Sequence, residues 1–318
     1  MIATPPPDRP LIEFRGLHRV FGDTHAVRGV TFSVFPGQVF GYIGPNGAGT
    51  TTSMRILATL DEPTAGDALV DGLSVVEDPD RVRRRLGFMP DYYGTYQNVN
   101  VQEYLDFFAR AYGLRGGERR RALGFAMDFT GLHPLAAKPI DGLSKGMKQR
   151  LALGRTMIHD PAVMVLDEPA AGLDPRARIE LREMISRLAE LGKAVLISSH
   201  ILTELAEVCD SVGIIEQGRL LAVGSVDEIS RRVAGTSLVT VRVLGDAAAA
   251  VDWLDRHEHV EDLLADGQLL RFNHAGDEAA QAELLTGMVG QGLRVCEFGA
   301  RAVSLEDVFL HVTEGRVQ

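Results

Sequence analysis

Apolar residues in the first part of the chain recur at the spacing of β-strands. The segment "LIEFRGL" alternates apolar and polar residues, and "VTFSVFPGQVFGYIG" holds two apolar runs separated by Pro36-Gly37. Alternation and short apolar runs are typical of strands, and Pro-Gly is a strong turn signal. From Thr50 onwards, "TTTSMRILATL" changes to helical spacing. The pattern therefore predicts a group of strands followed by a helix.

The middle of the chain has a different pattern, which is amphipathic at the period of an α-helix. The segments "VNVQEYLDFFARAYGL" and "RRRALGFAMDFTGL" both place apolar residues three and four positions apart. No strand signal interrupts them. We therefore predict a helical insertion at about residues 95–160, between the first strands and those that follow.

Strands and helices alternate after this insertion. "AVMVLDEP" and "KAVLISSH" are short apolar runs of strand length. Between them "DPRARIELREMISRLAELG" has a helical period, with Asp174 as its predicted N-cap and a proline at the first helical position. Strands that alternate with helices are typical of a mostly parallel sheet, so we predict an α/β fold.

A second pattern begins near residue 231 and predicts a separate, smaller domain. Its segments predict the order strand, helix, strand, strand, helix, strand, with a hairpin turn at Asp266-Gly267. That order suggests a ferredoxin-like α+β unit. "SLEDVFLHVTEG" predicts a final helix. The predicted organisation is a disordered lead at 1–10, a first domain at 11–230 and a C-terminal accessory domain at 231–318.

Composition and charge narrow the function classes. The net charge of −10 argues against broad nucleic-acid binding through charge. The two cysteines, Cys209 and Cys296, are too few for a disulfide framework, and we predict both to be buried in a reducing compartment. The chain has no apolar run long enough to span a membrane and no signal-peptide pattern at its start.

The stretch Gly44 to Thr52, "GPNGAGTTT", is a candidate phosphate-binding loop between a strand and a helix. Its glycines allow successive N–H groups to curve around a phosphate, and the helix N-terminus adds a positive dipole. The Thr51 hydroxyl is placed to contact Mg²⁺. The motif needs a lysine where this chain has Thr50, so an ordinary tight strand-to-helix turn is the alternative interpretation.

Downstream polar residues support the phosphate-loop interpretation. Asp167, at a strand tip, could hold Mg²⁺, and Glu168 could orient or deprotonate a water molecule. Ser144 and Gly146 lie at a predicted helix N-terminus, which suits an anion. His200 ends the strand "KAVLISSH". Taken singly, each has an ordinary alternative: Asp167 and Glu168 could be solvated acids, Ser144 could simply cap a helix, and His200 could be a structural residue.

Together, these motifs resemble those of the ATP-binding subunits of ABC transporters, over about residues 11–230. "GPNGAGTTT" resembles the Walker A loop, "LSKGMKQR" the signature motif and "VMVLDEP" the Walker B strand. "AAGLDP" is similar to the D-loop and "ISSH" to the switch histidine. Their sequence order matches the family, and the C-terminal segment "SLEDVFLHVTEG" resembles the end of bacterial exporter-type subunits.

The resemblance implies a P-loop NTPase core with a helical subdomain, and ATP and Mg²⁺ as cofactors. It implies that two subunits, expected to form a homodimer, pair head to tail around two ATP molecules. Thr51, Asp167 and Asp91 would then contact Mg²⁺, and the catalytic residues would be Glu168, His200 and Asp91. The residues implied to contact the nucleotide are Phe21, Gly44, Pro45, Asn46, Gly47, Ala48, Gly49, Thr50, Thr51, Thr52, Ser144, Lys145, Gly146, Met147 and Asp174.

Two positions depart from the family pattern. Thr50 replaces the Walker A lysine, and the loss of one charge-assisted hydrogen bond is worth roughly 1.5–3 kcal/mol. Arg55 is about one turn into the helix, and we expect its side chain to point away from the phosphates. Asp91 stands where the family usually has glutamine, which is a milder change. We therefore expect this chain to bind MgATP weakly and to hydrolyse it slowly, or only when it is paired with an intact partner.

The leading hypothesis is an ATP hydrolase subunit that drives export through a separate membrane permease. It would lie peripherally on the cytoplasmic face of the cell membrane and contact the permease through the helical region near residues 91–112. One alternative is a non-catalytic or regulatory nucleotide-binding protein of the same fold. Another is a soluble ABC protein acting on the ribosome or DNA, although relatives of that kind typically have two ATPase domains or a long coiled-coil insertion.

The C-terminal domain shows no recognisable chemistry. His257 and His259 in "RHEH" are two residues apart and lack further ligands at a useful spacing, so we predict no metal site there. Packing or dimer support is the expected role of this domain, with regulation by a small ligand as the alternative.

Overall fold

A computed structural model describes residues 9–92, 94, 98–199, 205, 207–225, 228–229, 237–245 and 247–301. Predictions for residues 1–8, for His200 and for the final helix lie outside the described residues. At the start of the described chain, the Arg9 guanidinium donates a hydrogen bond of 3.1 Å to the carbonyl of Asp71. The chain divides into two compact units, with the boundary between Val223 and Gly224.

Up to residue 225 the strands are β1 (Ile12–Phe21), β2 (Thr24–Val34), β3 (Val39–Ile43), β4 (Ala65–Val70), β5 (Leu73–Ser74), β6 (Leu86–Met89), β7 (Val163–Leu166), β8 (Ala194–Ser198), β9 (Ser211–Glu216) and β10 (Arg219–Ser225). The α-helices are α1 (Thr50–Leu57), α2 (Pro79–Val82), α3 (Val101–Ala111), α4 (Gly116–Phe129), α5 (Lys145–Met157) and α6 (Pro175–Glu190).

The first strands form an antiparallel sheet in the order β2, β1, β4, β5. Alternate residues of β1 and β2 are buried, as the period-two pattern predicts. Phe14 stacks on Phe32 at 4.5 Å between ring centroids, and Phe32 stacks on Phe40 of β3 at 4.6 Å. This aromatic stack joins the antiparallel sheet to the second sheet through one hydrophobic core.

The second sheet has the order β10, β9, β3, β8, β7, β6, and the pairings of β3 with β8 and β9, and of β7 with β6 and β8, are parallel. Strands β3, β7 and β8 are completely buried, which explains their continuous apolar sequences. Because parallel strands end at the same edge, the segments after β3, β6, β7 and β8 lie together. Ligands of α/β sheets bind at this edge.

Helices α3, α4 and α5 share a separate hydrophobic core formed by residues such as Tyr104, Leu105 and Leu151. Helix α3 begins with a capping box, because Asn100 accepts from the backbone N–H of Glu103 and the Glu103 carboxylate accepts from the N–H of Asn100. The helices within residues 95–160 are therefore stabilised by a hydrophobic core of their own, and none of them forms part of a sheet.

The second unit contains β11 (Ser237–Val243), α7 (Ala248–Leu254), β12 (Val260–Asp266), β13 (Leu269–His274), α8 (Glu278–Gly290) and β14 (Val295–Arg301). Its antiparallel sheet has the order β12, β13, β11, β14, which is the arrangement of the predicted ferredoxin-like unit. Apolar residues of β11 and β13 pack with α7 and α8 into one core.

Two details of the second unit and of the cysteines differ from the sequence-based expectation. The β12–β13 hairpin turns at Gly267-Gln268, because Asp266 still pairs with Leu269; the predicted turn at Asp266-Gly267 was one residue too early. Cys209 is buried as predicted, but Cys296 is exposed, because it alternates away from the core along β14. The number of cysteines does not determine which face of a strand each one occupies.

Candidate functional site

The loop from Gly44 to Gly49 connects β3 to α1 with close backbone packing. A Cβ atom on Gly44 would lie 2.5 Å from the carbonyl oxygen of Ile215, and one on Gly49 would lie 2.2 Å from that of Ala26. Gly49 also has a φ of 103°, which is strained for any other residue. Both positions therefore require glycine, and the loop holds its shape through the backbone.

The N-terminus of α1 is suited to an anion. Its N-cap, Gly49, has no side chain to cap the first N–H groups, and the first turn contains no acidic residue. These N–H groups have no acceptor within the helix, and the helix dipole places partial positive charge there. A phosphate at this position would accept hydrogen bonds from these N–H groups, and its negative charge would interact favourably with the helix dipole.

The loop lines a cavity of about 250 Å³ together with the ends of the neighbouring strands. The residues lining it are Ala26, Tyr42, Gly44, Pro45, Asn46, Gly47, Ala48, Gly49, Thr50, Thr51, Thr52, Asp91, Asp167, Glu168, Ser198 and Ser199. The structure thus brings the predicted loop and three predicted carboxylates to one place. Among the described residues that line this cavity, none is a lysine or an arginine.

Asp167 is the buried centre of the polar network, with only 1% of its surface exposed. The Ser198 hydroxyl donates to its Oδ1 at 2.6 Å, and the Thr51 hydroxyl donates to the same oxygen at 3.3 Å. Carboxylate and hydroxyl oxygens are the ligands that Mg²⁺ prefers. Asp167 and Thr51 are therefore close enough to share one ion.

The charge of Asp167 is opposed mainly by burial, which raises the pKa of its carboxyl group. The hydrogen bonds from Ser198 and Thr51 lower this pKa, the negative charge of Asp91 raises it, and the positive charge of Arg55 lowers it. Arg55 thus acts electrostatically on the carboxylate, although it does not line the cavity. A divalent cation would relieve the remaining electrostatic cost.

Glu168 adopts a left-handed backbone conformation with φ of 49°. Such a conformation costs a residue with a side chain of order 1–3 kcal/mol and is concentrated at functional sites. The backbone N–H of Glu168 donates to the Ser198 hydroxyl at 2.9 Å, which fixes the turn. The side chain lines the cavity immediately after Asp167.

The predicted signature residues lie at the start of α5 and do not line this cavity. Ser144 is the N-cap and accepts a hydrogen bond of 3.3 Å from the N–H of Met147. Ser144 and Lys145 are exposed, whereas Gly146 packs against Ala177 of α6, where a Cβ atom would lie 3.0 Å away. The Lys145 ammonium lies close to Gly172, in the loop that precedes α6.

Asp174 caps α6 as predicted, since its carboxylate accepts a hydrogen bond of 2.9 Å from the N–H of Ala177. It does not line the cavity either. The cap and the signature helix therefore meet at Ala177. Both belong to the first unit and lie outside the lining of the cavity.

Phe21 ends β1 and is exposed, with the Arg19 guanidinium 4.2 Å above its ring centroid. Arg19 is in turn paired with Asp61 at 2.7 Å. One face of the Phe21 ring is therefore covered by the Arg19 guanidinium. Phe21 is not among the residues lining the cavity.

Sequence reasoning missed some residues of the cavity. Ser198 links Asp167 to Glu168, and Tyr42 lines the cavity with its hydroxyl 3.3 Å from that of Ser53. Burial strongly raises the pKa of Tyr42, so the phenol stays neutral. The signal for Ser198 in the sequence was that a polar residue ends the buried apolar run of β8.

The described residues fit a magnesium nucleotide on structural grounds. The glycines form a cradle that Cβ atoms would fill, the helix N-terminus is uncapped, and Thr51 and Asp167 provide hard oxygen ligands. The absence of a lining cation among these residues is the feature that fits less well. In the part of the chain that the structure describes, no helix is both long and apolar enough to cross a membrane.

Comparisons with known proteins agree with this geometry. A family model described as "ABC transporter" matches residues 27–171, and one described as "ATP-binding protein DrrA1-3-like, C-terminal domain" matches residues 224–313. Nod factor export ATP-binding protein I of Ralstonia nicotianae (strain ATCC BAA-1114 / GMI1000) is 34% identical over 307 residues, which is 96% of this chain and 94% of that protein.

Two further comparisons support the same assignment. Linearmycin resistance ATP-binding protein LnrL of Bacillus subtilis (strain 168) is 28% identical over 95% of this chain and 98% of its own. A solved structure described as the ATP binding subunit of an ABC transporter superimposes with a TM-score of 0.64 at 31% identity, covering 70% of this chain and 93% of that one. This chain therefore belongs to the ABC transporter family, as an ATP-binding protein with a DrrA1-3-like C-terminal domain.

Proposed function

We propose that this protein binds MgATP in the cavity below the Gly44–Thr52 loop. The observation that carries the proposal is the convergence of that loop, Thr51, Asp167 and Glu168 on one cavity. Phosphates would be held by the backbone N–H groups at the start of α1, and Phe21 would stack on the adenine. The bound Mg²⁺ would supply positive charge to the phosphates.

Within this site we assign separate roles to the carboxylates. Asp167, with Thr51, would hold the ion, and Asp91 would accept from its water ligands. Glu168 would orient the attacking water and accept its proton. Its left-handed backbone and its link to Ser198 support a fixed position. The proposed role of His200, contact with the terminal phosphate, concerns a residue outside the described part of the chain.

We propose that two subunits pair head to tail so that each nucleotide contacts both. The residues offered to the second subunit would be Ser144, Lys145, Gly146 and Met147, with Asp174 nearby. Supporting this proposal, the exposed Ser144 and Lys145 do not line the cavity of their own chain. A second copy related by a two-fold axis would therefore complete each site with residues that one chain leaves outside it.

Thr50 would make nucleotide binding weak and hydrolysis slow. The cavity contains Asp91, Asp167 and Glu168 but no lysine or arginine among its described lining residues. An anionic nucleotide would therefore depend on Mg²⁺ and backbone dipoles for attraction. Arg55 would contribute at longer range, through its effect on Asp167.

We propose that the dimer drives export through a separate membrane permease, from a peripheral position on the cytoplasmic membrane face. The names of the relatives from Ralstonia nicotianae and Bacillus subtilis, which refer to export and to resistance, support this assignment. The proposed contact region, residues 91–112, presents the exposed aromatic side chains of Tyr92 and Phe107.

The mass of the full chain in solution tests the pairing. The Glu168→Gln variant should bind MgATP without turnover, so gel filtration with light scattering should show a dimer with MgATP and a monomer without it. Adding Ser144→Arg should prevent dimer formation but leave nucleotide binding by the loop. Gln102→Arg, an equal charge change at an exposed position of α3, is the control. A monomer under every condition would overturn the pairing.

A further inference from the structure

Two arginine-rich runs of the first unit, residues 81–86 and 115–121, do not line the proposed nucleotide cavity. Three of the four arginines in the first run form ion pairs with nearby carboxylates, namely Arg81 with Asp78, Arg83 with Asp80, and Arg85 with Asp71. The positive charge of the first run is therefore largely neutralised within the protein, which is typical of an ordinary solvated surface.

The second run carries positive charge that its surroundings do not balance. Between residues 110 and 121 the chain has five arginines and one glutamate, which leaves a net charge of +4 in a chain whose total is −10. Arg115, Arg120 and Arg121 are exposed, and no ion pair joins any of them to a carboxylate in the part of the chain that the structure describes. Their charges are therefore available to an external anion.

Helices α3 and α4 form a hairpin that holds these arginines on an ordered backbone. Helix α3 ends where Gly113 adopts a left-handed conformation with φ of 81°, and the N–H of Leu114 donates to the carbonyl of Ala109 at 3.0 Å. The Arg119 guanidinium of α4 lies 3.0 Å from the carboxylate of Asp106 of α3, and the two helices share one hydrophobic core. The exposed arginines therefore extend from a packed surface.

An exposed aromatic side chain lies beside these charges. Phe125 follows Arg121 by four residues, so both lie on the same face of α4, and 47% of Phe125 is exposed. The Arg121 guanidinium folds back towards the start of α4, because a Cβ atom on Gly117 would lie 3.4 Å from its Nη1. Beyond Phe125, the carboxylate of Asp128 contacts His133 at 3.0 Å. This face of α4 therefore combines unpaired positive charge with an exposed apolar ring.

The combination favours an anionic lipid surface over a nucleic acid. Arginines beside an exposed aromatic ring on one helix face are typical of helices that lie on membranes, where the arginines contact headgroups and the ring enters the boundary with the acyl chains. A nucleic acid would require a broader basic footprint. The run at residues 81–86 does not extend that footprint, because carboxylates neutralise most of it, and the chain as a whole is acidic.

The basic face of α4 adjoins the region that we propose contacts the permease, residues 91–112. Tyr112, the C-cap of α3, stacks on His159 at 3.7 Å between ring centroids. The Nε2 atom of His159 lies 3.2 Å from the carbonyl oxygen of Leu86 in β6. These contacts fix the end of α3 against the parallel sheet. A permease bound at residues 91–112 would therefore have the start of α4 beside it, where the headgroups of a bilayer surround the permease.

We propose that Arg115, Arg120, Arg121 and Phe125, which we call the α4 basic surface, bind the headgroups of anionic phospholipids. This inference rests on the proposed position of the protein at the membrane face, and it adds the residues that touch the lipid. The contact would hold the helical hairpin against the bilayer beside the permease. Because the attraction of basic residues to an anionic surface falls off within a Debye length, the contact should be sensitive to salt.

Sedimentation of the full chain with lipid vesicles, without any permease, tests the α4 basic surface. The vesicles contain either phosphatidylcholine alone or phosphatidylcholine with about one third phosphatidylglycerol. Binding should require phosphatidylglycerol. It should weaken at least about ten-fold when the salt concentration rises from about 0.05 M to about 0.5 M, because salt screens the arginines from the headgroups.

Two triple variants with equal changes in charge locate the contact. The first removes the three arginines of the α4 basic surface and should weaken vesicle binding about a hundred-fold, because each arginine near an anionic surface contributes about five-fold. The control removes three exposed arginines of the first run and should weaken binding by less than about five-fold. The first variant carries Arg115→Gln, Arg120→Gln and Arg121→Gln, and the control carries Arg81→Gln, Arg83→Gln and Arg84→Gln.

The aromatic ring is tested separately from the charges. Phe125→Ser should weaken binding to phosphatidylglycerol vesicles about five-fold, because the ring no longer enters the bilayer, and should leave the salt dependence of binding unchanged. Phe125 and the substituted arginines are exposed, so all variants should fold like the native chain. Circular dichroism checks the fold, and MgATP binding is measured on the same preparations.

The outcomes separate a defined lipid contact from general attraction by charge. Failure of the native chain to bind phosphatidylglycerol vesicles would overturn the proposal, as would unchanged binding by the first triple variant. Equal losses in both triple variants would show attraction through net charge and would overturn it as well. Binding of an RNA or DNA duplex that depends on these arginines, without vesicle binding, would assign the surface to nucleic acid instead. Loss of vesicle binding with intact MgATP binding would leave the proposed nucleotide site untouched.

Discussion

Replacing Thr50 by lysine should add positive charge to the cavity that we propose binds the nucleotide. Thr50 is the first residue of α1 and lines the cavity, which it shares with Asp91, Asp167 and Glu168. A lysine at this position would place an ammonium group where only backbone dipoles now attract phosphate. The backbone need not change, because lysine is readily accommodated in the first turn of a helix.

The size of the effect follows from the lining residues. One hydrogen bond from a charged donor to a phosphate oxygen is worth roughly 1.5–3 kcal/mol, or about ten- to a hundred-fold in affinity. Since no described lining residue is cationic, little of this stabilisation is already present. The rate of hydrolysis should rise by more, about 10²- to 10³-fold, because charge develops on the phosphates in the transition state.

The assay compares MgATP affinity and steady-state phosphate release for the native chain, Thr50→Lys and Thr50→Met. Methionine approaches the length of lysine without its charge, so it separates electrostatics from packing. We expect tighter binding and faster release only with lysine. If the native chain hydrolyses ATP briskly, at the same rate as Thr50→Lys, the argument that position 50 limits this site is refuted.

Other substitutions test neighbouring parts of the site. Glu168→Gln should retain MgATP binding and lower hydrolysis by about 10²- to 10⁴-fold, measured by single-turnover phosphate release; unchanged turnover would exclude Glu168 as the base. Because burial raises the pKa of Asp167, Mg²⁺-dependent binding should disappear on acidification at a higher pH than its ordinary value of 3.8 predicts, and titrations across pH would detect this. Burial disfavours the charged carboxylate, so the folded state is most stable while Asp167 is protonated. This stability is lost as the pH rises through the raised pKa of Asp167. Asp167→Asn should therefore raise the Mg²⁺-free melting temperature at neutral pH while abolishing the Mg²⁺ dependence of binding; a lower melting temperature would contradict the burial argument. Gly49→Ala should destabilise the first unit by about 1–3 kcal/mol in denaturant titrations, since its Cβ atom would lie 2.2 Å from a carbonyl oxygen. Phe21→Ala should weaken ATP binding by about 0.5–1.5 kcal/mol but leave inorganic triphosphate binding unchanged, which would not hold if the ring only braces Arg19.

Local sequence patterns were sufficient to predict the helices and strands and the polar residues at strand ends. The buried runs of β3, β7 and β8 are apolar throughout, because both faces of a parallel sheet are covered. The cap of α6 by Asp174 follows from hydrogen bonds between residues close in sequence. The α/β class and the ABC family assignment were confirmed.

Features that depend on long-range packing were not predictable in the same way. The hydrogen bonds of Ser198 to Asp167 and Glu168 require β7 and β8 to be neighbours, which is a matter of sheet order. The effect of Arg55 on Asp167 likewise depends on where α1 packs. Cys296 was wrongly predicted to be buried because its orientation depends on the register of β14.

The sequence by itself determined the glycine-rich loop, the carboxylates that follow β7 and the presence of threonine at position 50, because each is a matter of residue type and local spacing. Only the tertiary structure decided which charges share the cavity, and that His274 joins His257 and His259. The physical reason is that electrostatic and ring-contact distances of a few ångströms are set by strand pairing between distant segments. Such pairing leaves no local trace in the chain.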